Sequence, residues 1–159
     1  MSEIESIADQ LKRAFEGHAW HGPSIMEILG DVNAKQAASR PSSAVHSIWE
    51  VALHIAAWER AGVMRLNGER AELKSEEDWP TVNDTGDEAW KQTLKTLRDS
   101  NHELRSAISR LDEARLHQPI VEGMSSAYVT LHGIIQHDLY HAGQLSLLKK
   151  LTTEAGRYE

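Results

Sequence analysis

The sequence predicts an all-α protein, a four-helix bundle with long connecting loops. Three observations lead there. Four stretches repeat apolar residues at the three- and four-residue intervals of a helix. No run of alternating β-branched residues is long enough for a strand. The chain has 159 residues, enough for one sizeable core and hardly for two, so a single domain spanning 1–159 is expected.

The first helix is expected over about residues 3–18, where Ile4, Ile7, Leu11, Ala14 and Phe15 keep helical time. Ser2 and Glu5 have the spacing of a capping box, in which each side chain binds the other's backbone N–H. "HGP" at 21–23 interrupts, and a short helix, "SIMEIL", follows. "KQAASRPSS" reads as a connection ending in turn residues. The second helix opens at "SIWE", with Ser47 as cap and Glu50 as its partner, and runs to Asn67, where "NGE" supplies a glycine stop. Residues 69–84 carry charges, a proline and little periodicity, and read as loop. "TGDE" opens the third helix, with Thr85 as cap and Glu88 as box partner. Trp90, Leu94, Leu97, Leu104, Ile108 and Leu111 carry it to about Leu111. "HQPIVEGMSS" is a loop in which "PIVEG" is a brief extended piece. The fourth helix starts near Ser126 or Thr130 and ends before Gly156.

Composition narrows the function classes. The net charge of −7, with Lys and Arg scattered, disfavours nucleic acid and anionic membranes as partners. No apolar run approaches the roughly 18–20 residues of a membrane span. "MSEIESIADQ" lacks the basic and apolar segments of a secretory signal. There is no cysteine, so neither disulfides nor thiolate metal ligands arise from this chain. A cytoplasmic location is the expectation these features share.

The histidines carry the chemistry. On a wheel of about 100° per residue, Ile134, His137, His141, Leu145 and Leu148 fall on one arc, with Gln144 at its border. An i, i+4 histidine pair is commonplace by itself. Placed inside an apolar stripe, it leaves polar nitrogens buried at a cost unless something satisfies them. Two imidazoles one turn apart converge on one point, the spacing used by helical metal sites. A third ligand must come from another helix. The second helix offers His54, on a stripe with Glu50 and Trp58. Three neutral imidazoles suit zinc or nickel, and leave a position open for water or substrate. His18, His21, His46, His102, His117 and His132 read as structural or solvated, and Trp79 as a loop residue packed back on the bundle.

"SIWEVALHIAAWE" and "HDLYHAGQLSLLKK" together resemble the DinB-like superfamily, which includes YfiT-like putative metal-dependent hydrolases and thiol S-transferases. The first stretch matches its W-x4-H-I-x2-W segment and the second its H-D-x-Y-H-x-G-Q signature; "WHG" at 20–22 also fits. The resemblance implies a four-helix bundle holding a metal by three histidines and water. By position these would be His54, His137 and His141. It further implies homodimers and, in some members, a low-molecular-weight thiol such as mycothiol or bacillithiol as co-substrate. Damage-inducible expression, from which the family takes its name, implies nothing about DNA binding.

The expected function is therefore a divalent-metal-dependent enzyme, hydrolase or thiol S-transferase, acting on a small molecule. A non-catalytic metal or small-molecule binding module is the alternative. Glu50, one turn before His54, is the candidate proton acceptor, with its capping role in competition. Gln144 is the candidate partner that orients a ligand or substrate. A second apolar arc on the fourth helix, Leu131, Ile135, Leu139, Ala142 and Ser146, is expected to pack on another helix or on a second subunit of a homodimer.

Overall fold

The computed structural model describes residues 1–155, with side chains described through Thr153. Every regular element among them is helical: α1 (Glu3–Glu16), α2 (Ile25–Leu29), α3 (Ala34–Ala38), α4 (Ile48–Leu66), α5 (Ser75–Asp78), α6 (Asp87–Ser109) and α7 (Ala127–Ala155), with one 3-10 turn at Glu113–Arg115. Four of these are long: α1, α4, α6 and α7. The expected stop of the last helix at Gly156 lies outside the described residues. None of the described helices is long and apolar enough to cross a membrane.

Capping fixes where the helices begin. Ser2–Glu5, Ser24–Glu27 and Ser47–Glu50 each form the full reciprocal box. Such a cap typically contributes about 1 kcal/mol by satisfying N–H groups the first turn leaves orphaned. Helix α4 stops as expected after Leu66, where Gly68 takes a φ of +89° that a side chain would resist. Ser126 accepts from the Val129 N–H and starts α7. "PIVEG" contributes one isolated antiparallel bridge, Pro119 to Ser126.

Three expectations need correction. Residues 69–84, read as loop, contain the one-turn helix α5. The Thr85–Glu88 box does not form. Helix α6 instead begins at Asp87, with Gly86 as a cap that has no side chain to bind, and Asp84 Oδ1 accepts from the Gly86 N–H (2.8 Å). The stretch read as a plain connection contains α3. Asn33 caps it, and Gln36 ties it to Thr153 on α7 (2.8 Å), so a tertiary contact supports a helix too short to persist alone.

Around the bundle the long helices run in the order α1, α6, α4, α7. Helix α4 thus has α6 and α7 as neighbours, with α1 diagonally opposite. Gly62 allows the close approach: a Cβ there would lie 2.7 Å from Ile134 Cδ1 and 3.1 Å from Leu104 Cδ1. The core divides in two. One cluster gathers Phe15, α2, α3, Trp49, Ile55, Trp90, Leu97 and Leu145. The other gathers Ile4, Ile7 and Leu11 with Leu104, Ile108, Leu131 and Ile135. Between them in sequence register lie Glu59, Ser100, Asn101 and Asp138, all buried. The second arc of α7 is largely used inside the bundle: Leu131, Ile135 and Ala142 are buried there, while Leu139 is exposed.

Candidate metal centre

His54 sits two turns into α4, whose start is held by the Ser47–Glu50 box, and faces α7. His137 and His141 occupy successive turns of α7. The three rings meet where the helices touch, with centroids 4.9 Å (His54–His137), 4.7 Å (His54–His141) and 4.4 Å (His137–His141) apart. One nitrogen from each lies within 4.8 Å of the others. His54 and His141 are 5% and 4% exposed, so water cannot satisfy them freely; His137 is partly open.

Hydrogen bonding sorts the nitrogens. His54 Nδ1 lies 2.7 Å from the Asp78 carbonyl, which only accepts, so Nδ1 carries the proton and Nε2 the lone pair. His141 Nδ1 lies 2.7 Å from Gln144 Oε1, which by the same reasoning frees its Nε2. His137 Nε2 stands 2.9 Å from His54 Nε2. Two imidazole nitrogens on one tetrahedral ion, each bonded at 2.0–2.1 Å, lie about 3.3 Å apart. The pair is therefore close to the separation a shared ion requires, and the donor set fits a borderline divalent metal.

Charge points the same way. Burial lowers the pKa of all three histidines. For His141 burial, reinforced by the neighbouring His137, takes it down to about 4. The trio is consequently neutral near pH 7, with lone pairs available.

The walls come from the segment read as loop. Asp78 ends α5 and accepts from Trp58 Nε1 through Oδ1 (2.7 Å), besides holding His54. Trp79 lies between two imidazoles, stacked on His54 (3.9 Å, 7°) and on His46 (3.6 Å, 5°). On the His141 side opens a mainly apolar cavity of about 360 Å³, walled by Val45, His46, Trp79, Tyr140 and Leu147. On the His137 side a second cavity, about 290 Å³, is walled by Trp58, Arg65, Thr130 and Ile134.

The structure thus brings His54, His137 and His141 together, with Gln144 bonded to one of them. Glu50, the candidate proton acceptor, takes part in the α4 cap and pairs with Arg40. Its Oε2 accepts from Ser47 N (2.7 Å) and Arg40 Nε (2.9 Å), and Arg40 also engages Oε1. Burial pushes its carboxyl up, but Arg40 and Ser47 outweigh that and hold it below the usual range. His46, read as structural or solvated, is exposed and lines the cavity. Asp78 was not singled out from sequence. Its only signal is membership of "SEEDWP", a charged run that periodicity cannot place.

A sequence model described as the DinB superfamily matches residues 20–145. A crystal structure described as the conserved protein of locus from Enterococcus faecalis aligns with a TM-score of 0.74 over 97% of this chain and 99% of that one, at 18% identity, and so shares the fold. No curated protein matches the chain.

The depressed histidine pKa values set a pH dependence. A neutral ligand binds metal and a protonated one does not, so affinity should hold nearly constant from pH 8 to about 6.5, the ordinary histidine range. It should fall as pH drops from there toward 4, where His141 takes its proton. Competition titration with a chromogenic chelator across that range measures this, and an affinity that already collapses above pH 7 would contradict it.

Proposed function

The chain belongs to the DinB superfamily, and from that premise we propose that it is a divalent-metal-dependent enzyme acting on a small molecule, of hydrolase or thiol S-transferase type. The observation that carries this reading is the convergence of three neutral imidazoles beside an apolar cavity. His54, His137 and His141 would hold the ion, with zinc or nickel best matched to three nitrogen donors. Bound there, the ion would supply Lewis acidity, lowering the pKa of a water for hydrolysis or of a thiol for S-transfer.

The chain's own residues prepare that site. The Asp78 carbonyl and Gln144 fix the tautomers of His54 and His141, so their Nε2 atoms face inward. Trp79 covers one face of His54 and limits its access to water. Val45 and Trp79 offer an apolar surface to the organic part of a substrate. Because the chain has no cysteine, a thiol nucleophile comes from an exogenous low-molecular-weight thiol. In this reading Gln144 is a positioning residue, and Glu50 serves by starting α4 in the register that presents His54.

Purified protein should take up one ion per chain, with a rise in Tm on loading. His54→Ala, His137→Ala and His141→Ala should each lose stoichiometric uptake. The loaded protein is then assayed for conjugation of electrophiles with a panel of thiols and for ester and amide hydrolysis. Turnover that disappears with the ion supports the enzyme. Uptake without turnover on any of these would make the protein a binding module, and no uptake would end the metal reading.

We also infer that the protein pairs with a second copy through α7. Tyr140, Leu147 and Leu151 are exposed along one face, and Gly143 between them leaves open space. Pairing about a two-fold axis buries such a stripe against its own copy. Sedimentation at micromolar concentration should show a dimer that Leu147→Glu disrupts; a wild-type monomer under those conditions contradicts it.

A further inference from the structure

The layer between the two apolar clusters has no part in the reading so far. Glu59 on α4 and Asp138 on α7 are both 0% exposed. Glu59 is well partnered: Ser100 Oγ donates at 2.5 Å and Asn101 Nδ2 at 2.7 Å. Asn101 Oδ1 in turn accepts from Arg105 Nε (2.9 Å), whose guanidinium reaches Glu16 at the surface. Asp138 has no such support. Neither of its oxygens has a hydrogen-bond partner, and the nearby Glu59 is another acid rather than a cation. An unpartnered carboxyl deep in a helical core is a strongly unfavourable arrangement unless something offsets it.

What lies beside it is His137. Asp138 Oδ1 is 3.8 Å from His137 Nδ1. That nitrogen is also buried without a partner, so three of the four such side-chain atoms among the described residues belong to this pair. The other two ligands each have their Nδ1 anchored, one on the Asp78 carbonyl and one on Gln144. Of the three ligands His137 alone lacks an anchor, and Asp138 beside it lacks a donor. A shift of about 1 Å brings the two to hydrogen-bond length.

Charge supplies a second, separate reason. Three neutral imidazoles leave a bound divalent ion with its full double charge in a poorly polarisable interior. Asp138 beside His137 would offset that charge, and the ion in turn would offset its repulsion with Glu59.

We propose that Asp138 is a positioning residue and counter-charge of the metal centre: it accepts from Nδ1–H of His137, fixes Nε2 as the ligand atom, and with Glu59 behind it balances the ion. This rests on the metal reading of His54, His137 and His141. It gives the polar layer a purpose that packing does not, since apolar residues would fill the same space with fewer unmet hydrogen bonds.

The test compares metal affinity with the stability of the metal-free protein, using zinc competed against a chromogenic chelator and thermal unfolding without metal. Asp138→Ala should weaken zinc binding about 10–100-fold, and Asp138→Asn by less. The Tm of the metal-free protein should not fall in either, because a buried acid without partners has been removed. Glu59→Gln, which touches no ligand, should weaken zinc binding by a few-fold. Unchanged affinity in Asp138→Ala and Asp138→Asn would overturn the proposal. So would affinity lost only in step with metal-free stability, the signature of packing alone. Should both Asp138 variants fail to fold, Glu59→Gln decides: unaltered zinc binding in that folded variant overturns the counter-charge. Wild-type protein that takes no zinc at all removes the metal reading itself, a result distinct from variants that bind as the wild type does.

Discussion

Inside the helical bundle, nitrogens of His54, His137 and His141 gather within 4.8 Å of one another, and His54 and His141 are largely shut off from water. Nδ1 of His54 and of His141 is committed to an acceptor, which forces each Nε2 inward as a lone pair. His137 Nε2 is drawn to within 2.9 Å of His54 Nε2. A single proton can bridge one such pair, whereas a shared cation could satisfy all three nitrogens. The features that are unusual in this chain gather around the trio: a tryptophan packed between imidazoles, a short helix whose last carbonyl points at a ring, and acids buried in the core.

The bundle gathers the trio with ordinary means. A serine–glutamate box starts α4 at a defined residue, and everything two turns later inherits that register. Because α4 lies between α6 and α7, one of its faces presents His54 to the two histidines of α7 while another carries Glu59 to Ser100 and Asn101. The site and the polar layer are therefore two consequences of one helix placement. Residues 75–79 complete it from outside, where Asp78 anchors both His54 and Trp58 and delivers Trp79 to its stack.

Much of this was legible in the sequence, and the physical reason is periodicity. Ile4, Ile7, Leu11, Ala14 and Phe15 were expected on one face of the first helix, and all are buried. The caps at Ser2 and Ser47 were readable because their partners lie three residues on. The histidine trio emerged from the same wheel, since burying polar rings in an apolar arc demands an explanation. What escaped was set by tertiary contact. Helix α3 depends on Gln36 reaching α7, and Thr85 gave way to Gly86 as the cap of α6. Asp78 ends a one-turn helix and His46 lies on irregular backbone, and neither stretch has a period long enough to read. Glu59, Ser100, Asn101 and Asp138 escaped as a buried layer because a pattern built on apolar residues is blind to buried polar ones. The fate of Leu131 and Ile135 was also beyond the wheel, because α7 is apolar over much of its circumference and periodicity alone does not say which face meets a helix of the same chain.

The account stands on a common ion for His54, His137 and His141. The most direct measurement is a crystal structure of metal-loaded protein with anomalous scattering collected at the absorption edge of the ion. A single strong peak about 2.0–2.3 Å from Nε2 of all three residues is the predicted result. A peak bonded to fewer than two of them, or none despite full loading, would contradict it.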